Sequence, residues 1–562
     1  MENNSEETIN KLEETLKTYQ VEDRVNEKFD LQIKLGDLIE KNGDIDRSLE
    51  YFKSAYQTAV ILDDKIYQVD ALVKIAEGYF YKGEVQESIK YAEIVEKLLK
   101  DTDYVKGKLD ISLYLLKVYH IKNEYYKARE IGNQALKLCT EEYIIYKGRI
   151  LNAIANLYDD ITSADEHLDL LKQSLVSFES GNCLRGTLGI LNNIGVVYSD
   201  KLQNNEKALE YFFKLRDQSE DSNYSEFNVF AYINIGEEYF NCLKYEKALY
   251  WCKLALKKAE EAHLEAMVFY AYVILTSINL KLNNYEEAFV YFKLATSELE
   301  IYPDQGPRLS RFYKSVANLF LQFGEIPKAK QNIQLALDLL GNEESIIKWN
   351  TGIVYEFIKL RCAKNKTEIL RSLEGIKYIL SKYKSSQVIC HIVYDVALDL
   401  IDLEQSELAF KLVDEYTDMK AESEDVRLKH KYIEALRCNN EEKEQMLNSA
   451  LELAVEIKNC ELHLKISSSL GAYYFRVHNS EKTKTLYLDV CKQIKNIIIS
   501  VPEEFRIQYI NFNKLLDYYN RLGCVKQEFS TSYVNKYKIY HYISNKDELV
   551  EFLEDLDKII TN

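Results

Sequence analysis

The sequence predicts an all-α fold of stacked helix-turn-helix units, and three observations predict it. Among 562 residues there are only 4 Pro and 19 Gly, so helix breakers are scarce. Small residues recur about every 40 positions inside apolar helical patterns, at Gly36, Ala76, Gly195, Gly236, Thr276 and Ala317. A second small residue follows each after 12 positions, or 13 from Gly195 to Ala208.

Each element follows from that spacing. In the stretch "LNNIGVVYSDKLQNNEKALEYFF" (191–213), Gly195 is followed by Tyr198 and, beyond an Asn-Asn turn, by Ala208. Equivalent positions are Gly36, Gly43, Ser48 and Phe52, then Ala76, Tyr79, Gly83, Ser88 and Ala92, then Leu116, Tyr119, Asn123 and Ala128. Further on come Gly236, Tyr239 and Ala248, then Thr276, Asn283 and Ala288, then Ala317, Phe320, Gly324 and Ala329. Late copies are Ala397 with Ala409, and Gly471 with Tyr474 and Thr483. Gly and Asn tolerate a left-handed backbone and so end the first helix (A) before the second (B) begins. Pro327 falls in the first turn of its B helix, where a missing N–H costs nothing. The small residues mark where A and B approach most closely, and the following Tyr or Phe fills space between units. One such unit leaves its apolar face uncovered, so units must stack.

The copies "IKLGDLIEKNGDIDRSLEYFKSA", "VKIAEGYFYKGEVQESIKYAEI", "INIGEEYFNCLKYEKALYWCKLAL" and "KSVANLFLQFGEIPKAKQNIQLAL" resemble the tetratricopeptide repeat family, over about residues 26–500. The family period is about 34 residues, and the longer one here is similar to that of bacterial signalling and peptide-sensing members. The resemblance implies a right-handed α-solenoid of about twelve units with a concave groove lined by A helices. Three departures stand out. His167 occupies a position expected to be small, which implies a distorted or slipped unit, and units around 348–386 and 422–458 lack the small residues while still reading as helix pairs.

The expected organisation is an N-terminal capping helix over 1–25, regular units over 26–300, partly degenerate units over 309–500, and a C-terminal helical cap or tail over 501–562. The loop "IYPDQGPR" (301–308), with two of the four Pro, is the expected flexible joint, and "DMKAESEDVR" a weaker one. The N-terminal cap is too short for a DNA-binding domain or the helical bundle of related phosphatases. The segment from "SVPEEF" looks like the exit of arrays that carry an output domain, with too little chain after it for one.

Charge narrows the functions. With 72 basic against 90 acidic residues the net charge is −18, which opposes nucleic acid and anionic membrane surfaces. The segment 532–546 interleaves Lys536, Lys538 and Lys546 with Tyr533, Tyr537, Tyr540 and Tyr542 and is read as a cap packing its Tyr faces on the array rather than as a nucleic-acid strip. Ten Cys without a CxxC pair, a polar N-terminus and no long apolar run predict a reduced, cytoplasmic setting. No P-loop, GxGxxG after a strand, or HExxH is present. Cys460 with His463 is the closest metal-like spacing, and the reading is a packed Cys beside an exposed His. The expectation is a non-enzyme without cofactor or metal.

In tetratricopeptide relatives the ligand-facing positions lie six and three before, and one after, the small residue of helix A. Carried onto this chain, the resemblance implies an acidic N-terminal wall of Asp30, Asp70 and Asp110 with Asp37 and Glu77. It then implies Arg149, Asn152, Asn156 and Asn192, and later Tyr270, Arg311, Lys314 and Asn318. The same acids suit the early turns of an A helix through the helix dipole, and that reading stays open. Asn side chains can both donate to and accept from an extended peptide backbone. Gly189 stands where a carboxylate clamp would need a basic residue, so that clamp is not matched. The expected function is a scaffold or adaptor binding a protein or peptide in the groove, in bacterial intracellular signalling. The alternatives are a receptor for a signalling peptide, or a regulatory remnant without its output domain. A homo-oligomer stays open.

Overall fold

The computed structural model describes residues 2–18, 25–100, 102–157, 164–220, 222, 224–301, 308–341, 345–416, 423–438, 440–521 and 539–561. Among them are 28 α-helices and no strand. Helix α1 (Glu2–Thr18) precedes a series of A and B helices: α2 (Val25–Lys41) and α3 (Ile45–Ile61), α4 (Lys65–Tyr81) and α5 (Val85–Leu99), α6 (Val105–Ile121) and α7 (Tyr125–Leu136), α8 (Ile144–Leu157) and α9 (Ala164–Ser180). The series continues with α10 (Leu184–Val196) and α11 (Asn205–Ser219), α12 (Ser225–Asn241) and α13 (Tyr245–Glu261), α14 (Glu265–Lys281) and α15 (Tyr285–Ile301), α16 (Arg308–Gln322) and α17 (Ile326–Leu340). Then come α18 (Ile346–Arg361) and α19 (Lys366–Leu380), α20 (Ser386–Asp402) and α21 (Ser406–Asp414), α22 (Glu424–Arg437) and α23 (Asn440–Glu456), α24 (Cys460–Arg476) and α25 (Ser480–Ser500). Three helices close the order: α26 (Arg506–Phe512), α27 (Leu515–Arg521) and α28 (Lys546–Thr561). This is a tetratricopeptide-like array of twelve helix pairs. It divides into two compact bodies, residues 1–197 and 198–562.

The turns carry the period. Backbone φ is positive at Gly43 (87°), Gly83 (84°), Asn123 (58°), Gln203 (51°), Leu243 (59°), Asn283 (59°) and Gly324 (79°), the left-handed residue that separates A from B. Each lies seven residues beyond its small residue except Gln203, eight beyond Gly195. The extra residue is absorbed by a π-helical turn, Val197–Lys201, which takes one more residue per hydrogen-bonded ring than an α-helix. Asn204 then caps α11 by accepting from the Lys207 amide at 3.0 Å. Pro327 sits in the first turn of α17 as expected.

The small residues are contact points between helices. A Cβ on Gly36 would run into the Phe52 ring of α3, and one on Gly236 into Cys252 Sγ of α13. Where helix A lacks a small residue, helix B supplies it: Glu356 of α18 lies over Gly375 of α19, whose Cβ would come within 2.7 Å of the carboxyl carbon. The pair expected to be slipped, α8 with α9, closes through Ser174 Oγ donating to the Gly148 carbonyl at 2.7 Å, with His167 buried beside it. In the N-terminal body α1 seats Ile9 against Leu35 and Ile39 of α2.

In the C-terminal body, elements ten helices apart touch, so five pairs make one turn of the coil. Gln203 Oε1, before α11, accepts from the amides of Lys384 (2.6 Å) and Ser385 (3.2 Å), before α20. Lys281, ending α14, reaches Asp395 of α20 at 3.7 Å. Glu461, opening α24, accepts from Tyr285 of α15, from Gln322 Nε2 of α16 at 2.6 Å and from Tyr509 of α26 at 2.8 Å. Phe505 stacks on Phe323 with ring centres 4.8 Å apart, and Asn513 Nδ2 donates to the Gln322 carbonyl at 3.1 Å. Residues 501–519 therefore share one core with α12 to α17.

The joint expected at 301–308 falls almost wholly outside the described residues, as do the start of the 418–427 stretch and Tyr533, Lys536, Tyr537 and Lys538. Tyr540 is buried against Tyr519 and Phe552, whereas Tyr542 is exposed. No described helix is long and apolar enough to cross a membrane.

Two stability predictions follow. Ala208 is fully buried beside Phe212 and Ile235. Ala208→Trp overpacks that contact and lowers stability by about 1–3 kcal/mol in denaturant titration; an unchanged midpoint contradicts the register. Glu461→Ala strands two buried phenol hydroxyls, at a cost of about 2–4 kcal/mol by the same measurement.

Candidate functional site

The inward rows of the A helices are set by register. Counting from the small residue, position −6 reads Asp30, Asp70, Asp110 and Arg149 in the N-terminal body. In the C-terminal body the same position reads Tyr270, Arg311, His391, Lys429 and Lys465, the last three counted from Ala397, Ala435 and Gly471.

In the N-terminal body the acids mesh with the next repeat. Asp37 of α2 pairs with Lys74 of α4 at 2.8 Å, and Glu77 of α4 with Lys117 of α6 at 3.7 Å. Asp70 accepts from Tyr104 Oη at 2.7 Å and lies 3.4 Å from Lys106 Nζ. That ammonium is also 3.3 Å from Asp110, which accepts from Tyr146 Oη at 2.8 Å. Burial, then the Asp70 hydrogen bond, pushes the Tyr104 phenol up to about 12. Four of the five acids thus have a partner from the next A helix or its entry turn, while Asp30 is exposed. Arg149 lies over the Tyr146 ring at 5.5 Å, and Asn152 accepts from Asn193 Nδ2 at 3.1 Å. Asn156 is exposed and Asn192 half-buried. The rows bring Asp70 and Asp110 together through Lys106; Asp30 and Asn156 join neither ladder.

In the C-terminal body three consecutive A helices build a polar cluster. Tyr270 Oη of α14 donates to Glu237 Oε2 of α12 at 2.8 Å, and Arg311 of α16 donates to both Glu237 and Tyr270. Lys314 stands one turn along α16 from Arg311, and Asn318 one turn further, on the same face. Burial, together with the neighbouring Arg311 charge, pushes the Lys314 ammonium down to about 8. No described acid lies within ion-pair distance of it. Its amine meets the groove in a positive field without a counter-ion.

Further along the coil the basic residues are paired. Lys429 of α22 bridges Asp395 (2.7 Å) and Asp425, and His391 lies 3.4 Å from Asp395 and 3.5 Å from Asp425. Burial alone raises both carboxyls, but His391 and Lys429 outweigh it and hold Asp395 and Asp425 below the usual range. Arg361 grips Asp399 with both carboxylate oxygens at 3.0 Å from Nε, and Lys465 binds Asp402. Among the described residues no group of three or more His, Cys, Asp or Glu is placed to hold a metal ion. His463 is not an exposed neighbour of Cys460 as expected: it is half-buried and hydrogen-bonded to Asp489 at 2.8 Å, because α25 packs over that face.

Glu237, His391, Asp395, Asp425 and Lys429 were not singled out by sequence. Glu237 sits one after Gly236, the register of Asp37 and Glu77, so the same rule reaches it. His391 and Lys429 lie six before Ala397 and Ala435, which the degenerate repeats conceal.

No protein-family model and no curated protein matches the chain. Among solved structures, a Rap protein complexed with competence and sporulation factor is similar at 15% identity, covering 64% of this chain and 99% of that one, with a TM-score of 0.44. NprR in complex with its cognate peptide NprX is similar at 16% identity, 64% and 99% coverage and a TM-score of 0.43. Aspartyl phosphate phosphatase F from Bacillus subtilis is similar at 14% identity, 72% and 96% coverage and a TM-score of 0.39. The fold stands on the chain's own helix pairs.

The Lys314 amine gives a test by titration. Its folded value near 8 lies below the unfolded 10.5, so between them the unfolded chain holds a proton that the folded chain has lost, and stability rises with pH across that window. Lys314→Met removes this rise. Denaturation midpoints at pH 7.5 and 9.5 that move equally in both proteins contradict the assignment.

Proposed function

We propose that the chain is a binding protein for an extended peptide or protein segment, held along the inward rows of its A helices, and that it acts as a scaffold or sensor in intracellular signalling rather than as an enzyme. The observation that carries this reading is the cluster on α12, α14 and α16. Side chains from three successive repeats converge on one face, and one ammonium and one amide there, Lys314 and Asn318, are left for a ligand. A ligand crossing several repeats collects such contacts, while a single repeat offers too few. In the N-terminal body the reading gives contacts to Asp30, Arg149, Asn152, Asn156 and Asn192, with the ladder acids engaged by lysines.

A second reading, a receptor whose coil responds to its peptide, is favoured by the polar seam between successive turns of the C-terminal body. Gln203 to Lys384 and Lys281 to Asp395 are contacts that a ligand inside the coil can tighten or release.

Selection of a random heptapeptide phage library on the purified chain, followed by hydrogen exchange with the recovered peptides, tests the first reading. The expected result is slowed exchange in α12, α14 and α16. Protection confined to B helices, or no selectable peptide, contradicts it. Small-angle scattering with the same peptides tests the second: a smaller radius of gyration on binding is expected, and an unchanged one contradicts it.

A further inference from the structure

From the charge arrangement on α12, α14 and α16 we infer that the Lys314 position is a subsite for a single carboxylate of the bound peptide; this rests on the peptide-binding reading above. Three observations carry it. First, the Arg311 charge is already spent: its guanidinium is held by Glu237 and the Tyr270 hydroxyl, and that pair is neutral as a unit. Second, the other basic groups facing inward on the A helices of this body have their acids. Lys281 has Asp395, Arg361 has Asp399, Lys429 has Asp395 and Asp425, and Lys465 has Asp402. Lys314 stands outside this pattern, among Ile233, Val273, Ile353 and Tyr394 in its own row. Third, Asn318 follows at i+4 on the same face, so one turn of α16 presents an ammonium and an amide side by side.

A partly shielded ammonium without a counter-charge is costly to the free protein, and a carboxylate arriving with the ligand relieves that cost. The downward displacement of its titration expresses the same imbalance. The amine takes the carboxylate as a charge-assisted hydrogen bond, and the Asn318 amide can donate to the second oxygen or to the peptide backbone. The arrangement selects a monoanion. Only one positive charge is uncompensated, and Glu237 on the neighbouring helix, with the Asp200 carboxylate acting on Arg311 and Tyr270, repels a second negative charge. A phosphate dianion is therefore disfavoured where one carboxylate fits.

Three pools of heptapeptides, randomised elsewhere with neutral residues, distinguish the sources of the carboxylate. One has a single Glu and an amidated C-terminus, one has Gln there and a free C-terminus, and one has Gln and an amide. Binding is measured by fluorescence anisotropy to the full chain and to its Lys314→Met, Lys314→Glu and Lys314→Arg variants. The expected result is that the Glu pool or the free-terminus pool binds at least about tenfold tighter than the neutral pool. That preference is lost in Lys314→Met, kept in Lys314→Arg, and reversed toward a Lys-bearing pool in Lys314→Glu. Equal binding of the three pools overturns the carboxylate subsite and leaves the peptide reading standing. A preference that survives Lys314→Met places the carboxylate elsewhere and also overturns it. Absence of binding by every pool overturns both.

Discussion

The close approach of each A helix to its B helix, at one small residue per repeat, is the constraint on which the rest depends. Where Gly236 meets Cys252, or Gly36 meets Phe52, there is no room for a Cβ, so the two helices lock at one height and one rotation. That rotation decides which residues of helix A look inward. Shift α12 by one residue and Glu237 turns away from Tyr270; shift α16 and Lys314 leaves the face. The repeat also shows how flexible its means are. In α18 the small residue moves to the partner helix, as Gly375 under Glu356, and the pair still closes. At α10 an extra residue is taken up by a π-turn, so Gln203 and Leu243 keep their forty-residue spacing.

Coiling in the C-terminal body is settled by polar contacts between its turns. Glu461 is the node: three donors from α15, α16 and α26 converge on one carboxylate ten or so helices from where the first of them begins. Buried polar nodes of this kind set geometry more than they add net stability, since each group forgoes water to make its bonds. The segment from Phe505 to Tyr519 then seals the coil with aromatic contacts onto Phe289 and Phe323. The Lys314 face and this seam lie on the same run of α14 to α16, at opposite ends of the helices: Arg311 and Lys314 near the start of α16, Gln322 at its end.

Much of the architecture was legible because it is local. The turn glycines at 43, 83 and 324, the small residues and Pro327 all obey short-range backbone rules, and the structure places each as the spacing implies. What sequence could not supply depends on neighbours across space. Leu243 holds a left-handed backbone without being Gly or Asn, because its side chain packs into the core formed by α18 to α25. The run Asp30, Asp70, Asp110 reads as an open acidic wall in one dimension; in three, Lys106 stands between the latter two. Conversely, four of the candidates, Tyr270, Arg311, Lys314 and Asn318, were reached by register alone, but which of them has charge to spare became visible only through Glu237 on the adjacent repeat.

The central claim is that the inward face of α12, α14 and α16 receives the ligand, with the Lys314 amine at its centre. Competitive acylation of lysine amines, quantified by mass spectrometry with and without a peptide selected on the protein, addresses it most directly. The account predicts that in the free chain Lys314 reacts faster than the ion-paired Lys281 and Lys429, because more of its amine is neutral near pH 8, and that bound peptide suppresses it. A Lys314 labelling rate that is unchanged by a saturating peptide would contradict the claim.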